Sequence, residues 1–308
     1  MNIQTGGKVS GVYGIKVLRN AGTDKEHLED FGESPNMLLD GFFDRFAKGN
    51  LGSSTWYMFV GSGTTPVEAT QTQLVSQVGN YDSLTASAND NVKSGNDYIA
   101  SSTGTAEWAI GAIVGNISEV GVKLGTIIGS TVDSRALIVD SQGDPTTITV
   151  TSEDKLEISY TLKAIIPIEQ VVSVHDFAGV QTTCTVERLA VLDKGRNDLY
   201  SMFDIADRLS ASTSNTLINN PESNSSSSNE TIDGSNLSVK RTNLGLGAKR
   251  ITFVISSSTG NLSGGIGGIG IRQSHFSNYH SIARFDPKIP KDSTKTLTLN
   301  FDFTLSRA

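Results

Sequence analysis

With one cysteine, Cys184, in 308 residues, the chain has no means of building an intrachain disulfide framework. Cys184 alternates with Thr183 and Thr185 in a β-like run and reads as a small buried apolar side chain. A catalytic thiol would need a basic partner nearby. Charge is sparse as well, at 19% of residues, and cations are the minority: 25 Lys and Arg against 32 Asp and Glu, for a net charge of −7. A protein that holds nucleic acid electrostatically needs a basic surface to displace counterions. The pairs Lys240-Arg241 and Lys249-Arg250 are too few to reverse the balance, so no nucleic-acid partner is expected. No apolar run approaches the roughly eighteen residues of a membrane span, and no membrane partner is expected either. Met1 to Gly7 lacks the basic start and apolar stretch of a signal peptide, which predicts synthesis and folding in a cytoplasm.

Proline is scarce (7), whereas glycine is abundant (31), and Ser, Thr, Asn and Gly fill the stretches between apolar runs. That profile predicts a mainly β protein of short strands and tight turns. The chain also repeats itself. Ile117-Ser-Glu-Val-Gly-Val-Lys123 returns as Ile266-Gly-Gly-Ile-Gly-Ile-Arg272, and Leu156-Glu-Ile-Ser-Tyr-Thr-Leu162 as Leu299-Asn-Phe-Asp-Phe-Thr-Leu305. Arg135 and Arg284 lie between the matched segments in each copy. A period this long is a domain duplication and not a solenoid repeat. The expected architecture is two tandem, related, antiparallel β-sandwich-like domains with one or two short helices each. The first spans residues 1–168 and the diverged second spans 169–308, with a Ser/Asn-rich loop at 210–236 that cannot bury enough apolar surface to order itself.

Val9 to Leu18 reads as a first strand, followed by an acidic loop from Thr23 to Glu33. Ser34-Pro35 is the expected start of a helix whose Leu38, Leu39, Phe42, Phe43 and Phe46 form an apolar stripe, with Gly49 to end it. A shorter helix is expected over Val67 to Val78, then a polar stretch from Ser83 to Thr105 and an apolar run from Trp108 to Val114. Val120, Val122 and Leu124 alternate with Glu119, Gly121 and Lys123, and Leu156 to Leu162 alternates in the same way. Such alternation suits an antiparallel sheet with one wet face. In the second copy, Thr182 to Leu192 reads as a strand and Asp198 to Leu209 as the counterpart of the Phe-rich helix. Leu297 to Leu305 alternates most regularly of all.

Catalytic patterns are not assembled. Gly265-Ile-Gly-Gly-Ile-Gly270 fits the spacing of a dinucleotide fingerprint, but no helical pattern follows it. A glycine-smoothed strand lying close to another backbone is the favoured reading. Gly61-Ser-Gly-Thr-Thr lacks the Lys-Ser/Thr of a phosphate loop, and no G-x-S-x-G elbow occurs. His27 among Asp24, Glu26, Glu29 and Asp30 has irregular spacing, better suited to a solvated loop than to a metal. His175 lies beside Asp176. His275 and His280, interleaved with Phe276 and Tyr279, could line a trimer axis or contact surface, though ordinary loop residues are the favoured reading. Paired carboxylates cannot be located by counting acids. No catalytic, cofactor-binding or metal-ligating residue is assigned, and no cofactor is expected.

Val60-Gly-Ser-Gly-Thr-Thr-Pro66 is followed by Thr72-Gln-Leu74, Asn116-Ile-Ser-Glu-Val-Gly-Val122, Arg135, Gly143 and a strand ending Tyr160-Thr-Leu162. This order resembles a pattern of tailed-bacteriophage virion proteins. The resemblance covers Trp56 to Leu162; the second copy keeps only the Gly-rich strand, the Arg and the last strand. It implies a non-enzymatic virion component of tail-fibre, baseplate or neck type, made in the host cytoplasm and working in the particle. Partners would be further copies of the chain, as a ring or trimer, and other virion proteins. A head-decoration or collar protein is the nearest alternative. A carbohydrate-binding or carbohydrate-cleaving module, with Tyr81, Tyr98, Tyr200 and Tyr279 as candidate stacking residues, is the alternative from another class.

Overall fold

The computed structural model describes residues 2–51, 55–125, 129–168, 170–188, 208–212, 238–258, 261, 264–272 and 279–308. Among them the chain is mainly β, with several sheets and one helix. Strand β1 (Asn2–Arg19) organises the largest sheet. Ile3, Val9, Tyr13, Ile15 and Val17 are buried on one of its faces, as a period of two requires. Its length lets it bond to three strands. One edge pairs antiparallel with β12 (Lys155–Pro167) along Lys8 to Leu18. The other pairs parallel with β20 (Leu297–Arg307) along Asn2 to Val9, then antiparallel with β2 (His27–Pro35) from Val12 to Arg19.

Beyond β12 the sheet continues to β7 (Asp97–Glu107) and β6 (Thr85–Ser94). Beyond β20 it continues to β17 (Ala248–Ile255) and β16 (Ser238–Gly245). Strands from both halves therefore make one eight-stranded sheet, and one apolar core runs through residues from Ile3 to Leu305. The division expected at residue 168 therefore runs through one sheet and one core, although each of the two five-stranded sheets lies on one side of it. The reason is the reach of β1, whose two edges hold β12 from the first half and β20 from the second.

A five-stranded sheet packs on this one, in the order β3 (Met37–Leu38), β10 (Ser134–Leu137), β9 (Glu119–Leu124), β4 (Trp56–Gly61) and β5 (Gln77–Ser83). Trp56 meets Tyr160 edge-on at 5.9 Å between ring centroids. The Ser134 hydroxyl lies 2.5 Å from the Tyr13 hydroxyl, and Asn36 Nδ2 donates to both Ser134 Oγ and the Tyr160 hydroxyl. Gly11 leaves room for this contact, since a Cβ there would lie 2.5 Å from the Tyr160 oxygen. Burial pushes both tyrosines above the usual phenol range. A short ladder joins β8 (Gly115–Ile117) to β11 (Ile148–Val150). A second five-stranded sheet runs β13 (Val171–Phe177), β14 (Val180–Arg188), β19 (Tyr279–Ile289), β18 (Ile266–Arg272) and β15 (Arg208–Ser212).

Helix α1 (Asp40–Lys48) buries Phe42, Phe43, Phe46 and Ala47. Each phenylalanine is worth about 1.5–3 kcal/mol over leaving it exposed. Lys249 lies 4.3 Å from the Phe46 ring centroid and Arg307 lies 4.7 Å from that of Phe43, so second-half cations cap the helix's aromatic face. Gly49 at φ 70 ends the helix as expected, its N–H bonding back to Phe46 O.

Several expectations change. The helix starts at Asp40, not at Ser34-Pro35. Both residues belong to β2 instead, and the buried Ser34 hydroxyl accepts from Val139 N. The helix expected over Val67 to Val78 is a turn followed by β5, because the Val75 and Ser76 amides donate to Glu119. Part of the acidic loop is β2, and the polar stretch from Ser83 forms the β6–β7 hairpin. Trp108 to Val114 is turn-rich, with the Trp108 indole donating to Asn80 O. β9 does not alternate: all six residues are buried, because both faces are covered. In the second copy, β14 ends at Arg188, and Arg208 and Leu209 open β15. The rest of the expected second helix and residues 213–236 of the Ser/Asn tract lie outside the described residues.

Candidate functional site

The chemically richest place is a pair of charged clusters buried under the five-stranded sheet that contains β9. Glu119 on β9 and Arg135 on β10 are both 0% exposed, and Arg135 Nε donates to Glu119 Oε2 at 2.7 Å. Burying such a pair is costly unless every lone pair and N–H is satisfied. Here the backbone does that. Glu119 Oε1 accepts from Gly63 N (2.9 Å) and Ser76 N (2.8 Å), and Oε2 also accepts from Val75 N (3.1 Å). Arg135 Nη1 donates to Gln71 Oε1 at 2.8 Å, and Nη2 donates to Thr65 O at 2.9 Å. The chain from Gly61 to Ser76 is thereby wound around one ion pair.

The glycines of this loop follow from how tightly it is wound. A Cβ on Gly61 would lie 2.6 Å from Glu119 Oε1 and from Ser76 O, and one on Gly63 would lie 2.5 Å from Glu119 Oε1 and from Val75 Cβ. On the neighbouring strand, a Cβ on Gly121 would come within 2.9 Å of Leu74 Cδ2 and 3.1 Å of Ser134 O. Thr72 O accepts from Val132 N, which pins the segment bearing Leu74 to the approach to β10. Ser118 Oγ donates to Gly63 O at 3.0 Å. The Val60–Pro66, Thr72–Leu74, Asn116–Val122 and Arg135 segments are thus parts of one packed unit.

A second cluster adjoins it. Asp133 accepts from Lys123 Nζ (3.1 Å), from Arg45 Nη1 (2.5 Å) and from Leu124 N (2.8 Å). Arg45 also reaches Leu51 O and Leu124 O, tying α1 to the end of β9. Burial, partly offset by Asp133, lowers the pKa of Lys123. Neither cluster could be found from the sequence, where Glu119 and Lys123 sit at the positions expected to face water. The one available signal was that Glu119 and Arg135 fall within the recurring motif.

The other residues weighed from the sequence do not converge. His27 is exposed, with Nδ1 3.2 Å from Lys25 O. His175 Nε2 lies 2.8 Å from Ser173 Oγ, and burial lowers its pKa. The side chain of His280 and all of His275 lie outside the described residues, as do Tyr200 and the Tyr279 side chain. Tyr81 is exposed and packs edge-on against Tyr57, and Tyr98 is half-buried. Cys184 is buried and free, its thiol pushed up to about 12 by desolvation. Of the Gly265–Gly270 run, Ile266 to Gly270 lie in β18 and in no helix; a Cβ on Gly265, just before the strand, would lie 2.6 Å from Ile289 O, the close backbone approach that was expected. Among the described residues no group of three or more His, Cys, Asp or Glu could hold a metal ion. No helix among them is long and apolar enough to cross a membrane.

Comparison with known protein families, with curated proteins and with solved structures finds no match for this chain.

Proposed function

We propose that the chain is a non-enzymatic structural component of a tailed-phage particle, a tail-associated adaptor or proximal fibre element acting through multimeric interfaces. The observation that carries this reading is the convergence of the motif segments on the Glu119–Arg135 pair. Glu119 accepts four hydrogen bonds, and both Nη groups of Arg135 are engaged. A carboxylate and guanidinium so fully engaged favour a rigid scaffold over turnover. The particle would be the working location, and further copies and other virion proteins the partners. Head-decoration or collar placement is the variant within this class.

We read the repeat as two related sheet units built about β1. In each, a Gly-bearing strand pairs antiparallel with an Arg-bearing strand, β9 with β10 and β18 with β19. In each, the last strand flanks β1. The two copies would then share a sheet instead of forming separate sandwiches.

Light scattering of the purified protein tests the reading: a defined oligomer is expected, and a strict monomer at all concentrations would count against it. Imaging of particles carrying a tag on Ala308 distinguishes tail from head. The exposed Tyr81 beside Tyr57 favours carbohydrate binding as a second reading. A glycan array with no hits, for the native protein and for Tyr81→Ala alike, would eliminate it.

A further inference from the structure

Open sheet edges attract further strands, and proteins usually defend them with charge or proline. The edges of this molecule differ in that defence. β16 carries Lys240 and Arg241, β2 carries Glu29, Asp30 and Glu33, and β6 carries Asp90 and Lys93. The outer strand β13 reads Val-Val-Ser-Val-His-Asp-Phe, with no Lys, Arg or Pro and with a single acid, Asp176, near its end. Among the described residues it pairs only with β14. Its Val171, Ser173, His175 and Phe177 share a face with the buried Cys184 and Val186 of β14, while Val172 and Val174 stand on the opposite face. Those two valines are 61% and 63% exposed, adjacent on one face of a strand that ends its sheet.

We infer that β13 is a self-pairing edge: a second copy of this chain adds its own β13 antiparallel, joining two sheets across a two-fold axis. The register follows from parity. Opposed residues point to the same face only if the axis passes through a residue. An axis at Val174 would set Val172 against Asp176 of the second copy. An axis at Ser173 sets Val172 against Val174 twice, so that four valines form one apolar patch across the seam. The same register is electrostatically compatible. Asp176, the strand's only acid, falls opposite the neutral Gln170, and the two Asp176 carboxylates lie at opposite ends of the seam. Like charges are nowhere opposed. An interface of this kind is isologous and closes at two copies; a larger assembly needs a second, different contact.

This inference rests on the multimeric reading above, and its test separates the two. Sedimentation of the full chain should give a dimer or an even-numbered oligomer. Val174→Lys should remove the two-fold contact and halve the mass. Thr183→Lys, on the same face but one strand inward, should leave it intact. An oligomer whose mass is unchanged in Val174→Lys, or an odd-numbered one, overturns self-pairing and leaves the multimeric reading standing. A wild-type monomer at every concentration overturns both. The register has its own check under mild oxidant: mixed Val172→Cys and Val174→Cys chains should crosslink more than either alone. Equal crosslinking in the separate samples would reject an axis at Ser173.

Discussion

Arg135 on β10 and Arg284 on β19 each lie opposite a glycine on the antiparallel neighbour, Gly121 and Gly268. Around Arg135, the loop from Gly61 to Ser76 closes over the pair and excludes water. β18 contains no Asp or Glu and so supplies no carboxylate. Arg284 instead donates to Glu187 on β14 at 2.8 Å, and those side chains remain 23% and 26% exposed. Irregularities along β18 also move the register, bringing Arg284 opposite Gly268 instead of Gly270. An Arg-bearing strand beside a Gly-bearing one therefore carries a dry ion pair in one sheet and a partly wet one in the other. What differs is the covering segment, so the cover, and not the sheet, decides the energetics of the charge.

The comparison can be broken at its strongest point first. Glu119→Ala strands a buried guanidinium and three backbone N–H groups, and should cost about 3–5 kcal/mol or prevent folding. Replacing both partners by apolar residues should not restore the loss, because the Gly63, Val75 and Ser76 amides stay orphaned; a urea midpoint back at the native value would refute the role given to the loop. Next in size is Gly63→Ala, where the added methyl meets Glu119 and Val75, for an expected loss of about 1–3 kcal/mol in thermal or urea unfolding.

A pH experiment sharpens the contrast from the other sheet, whose core beside Glu187 is apolar. The Cys184 thiol is raised from 9.0 to about 12 in the fold. Above about pH 9 the unfolded chain ionises its thiol while the folded chain does not, so this group removes stability progressively between pH 9 and 12. The stability advantage of the native protein over Cys184→Ala should therefore shrink across that window; a constant difference would contradict it. The smallest effect is expected for Glu187→Gln, below about 1 kcal/mol in the same unfolding assay, because that pair is partly solvated.

Much of the sheet framework was legible. β1, β12 and β20 announce themselves by alternation, and α1 by its Phe42, Phe43 and Phe46 stripe and Gly49 stop. Regularity of this kind is local and survives without knowledge of neighbours. The failures occur where a distant partner overrides the local pattern. Val67 to Val78 has helical spacing, but two of its amides are taken by Glu119. β6 and β7 lack apolar runs, yet β12 offers a hydrogen-bonding edge along the whole of β7. The candidate site was legible only as a set of motif segments; that they share one ion pair was not.

The sequence by itself determined that this would be a β-rich chain with a Phe-bearing helix, a lone buried thiol and matched strand patterns in its two halves. Those properties follow from side-chain period and composition, which need no knowledge of what lies across space. Tertiary structure alone decided that both halves share the sheet around β1, and that Glu119 faces a closed loop instead of water. Both outcomes depend on segments far apart in the chain, such as Gly63 and Glu119, 56 residues from each other. Burial is a property of what covers a residue, and no local pattern carries that information.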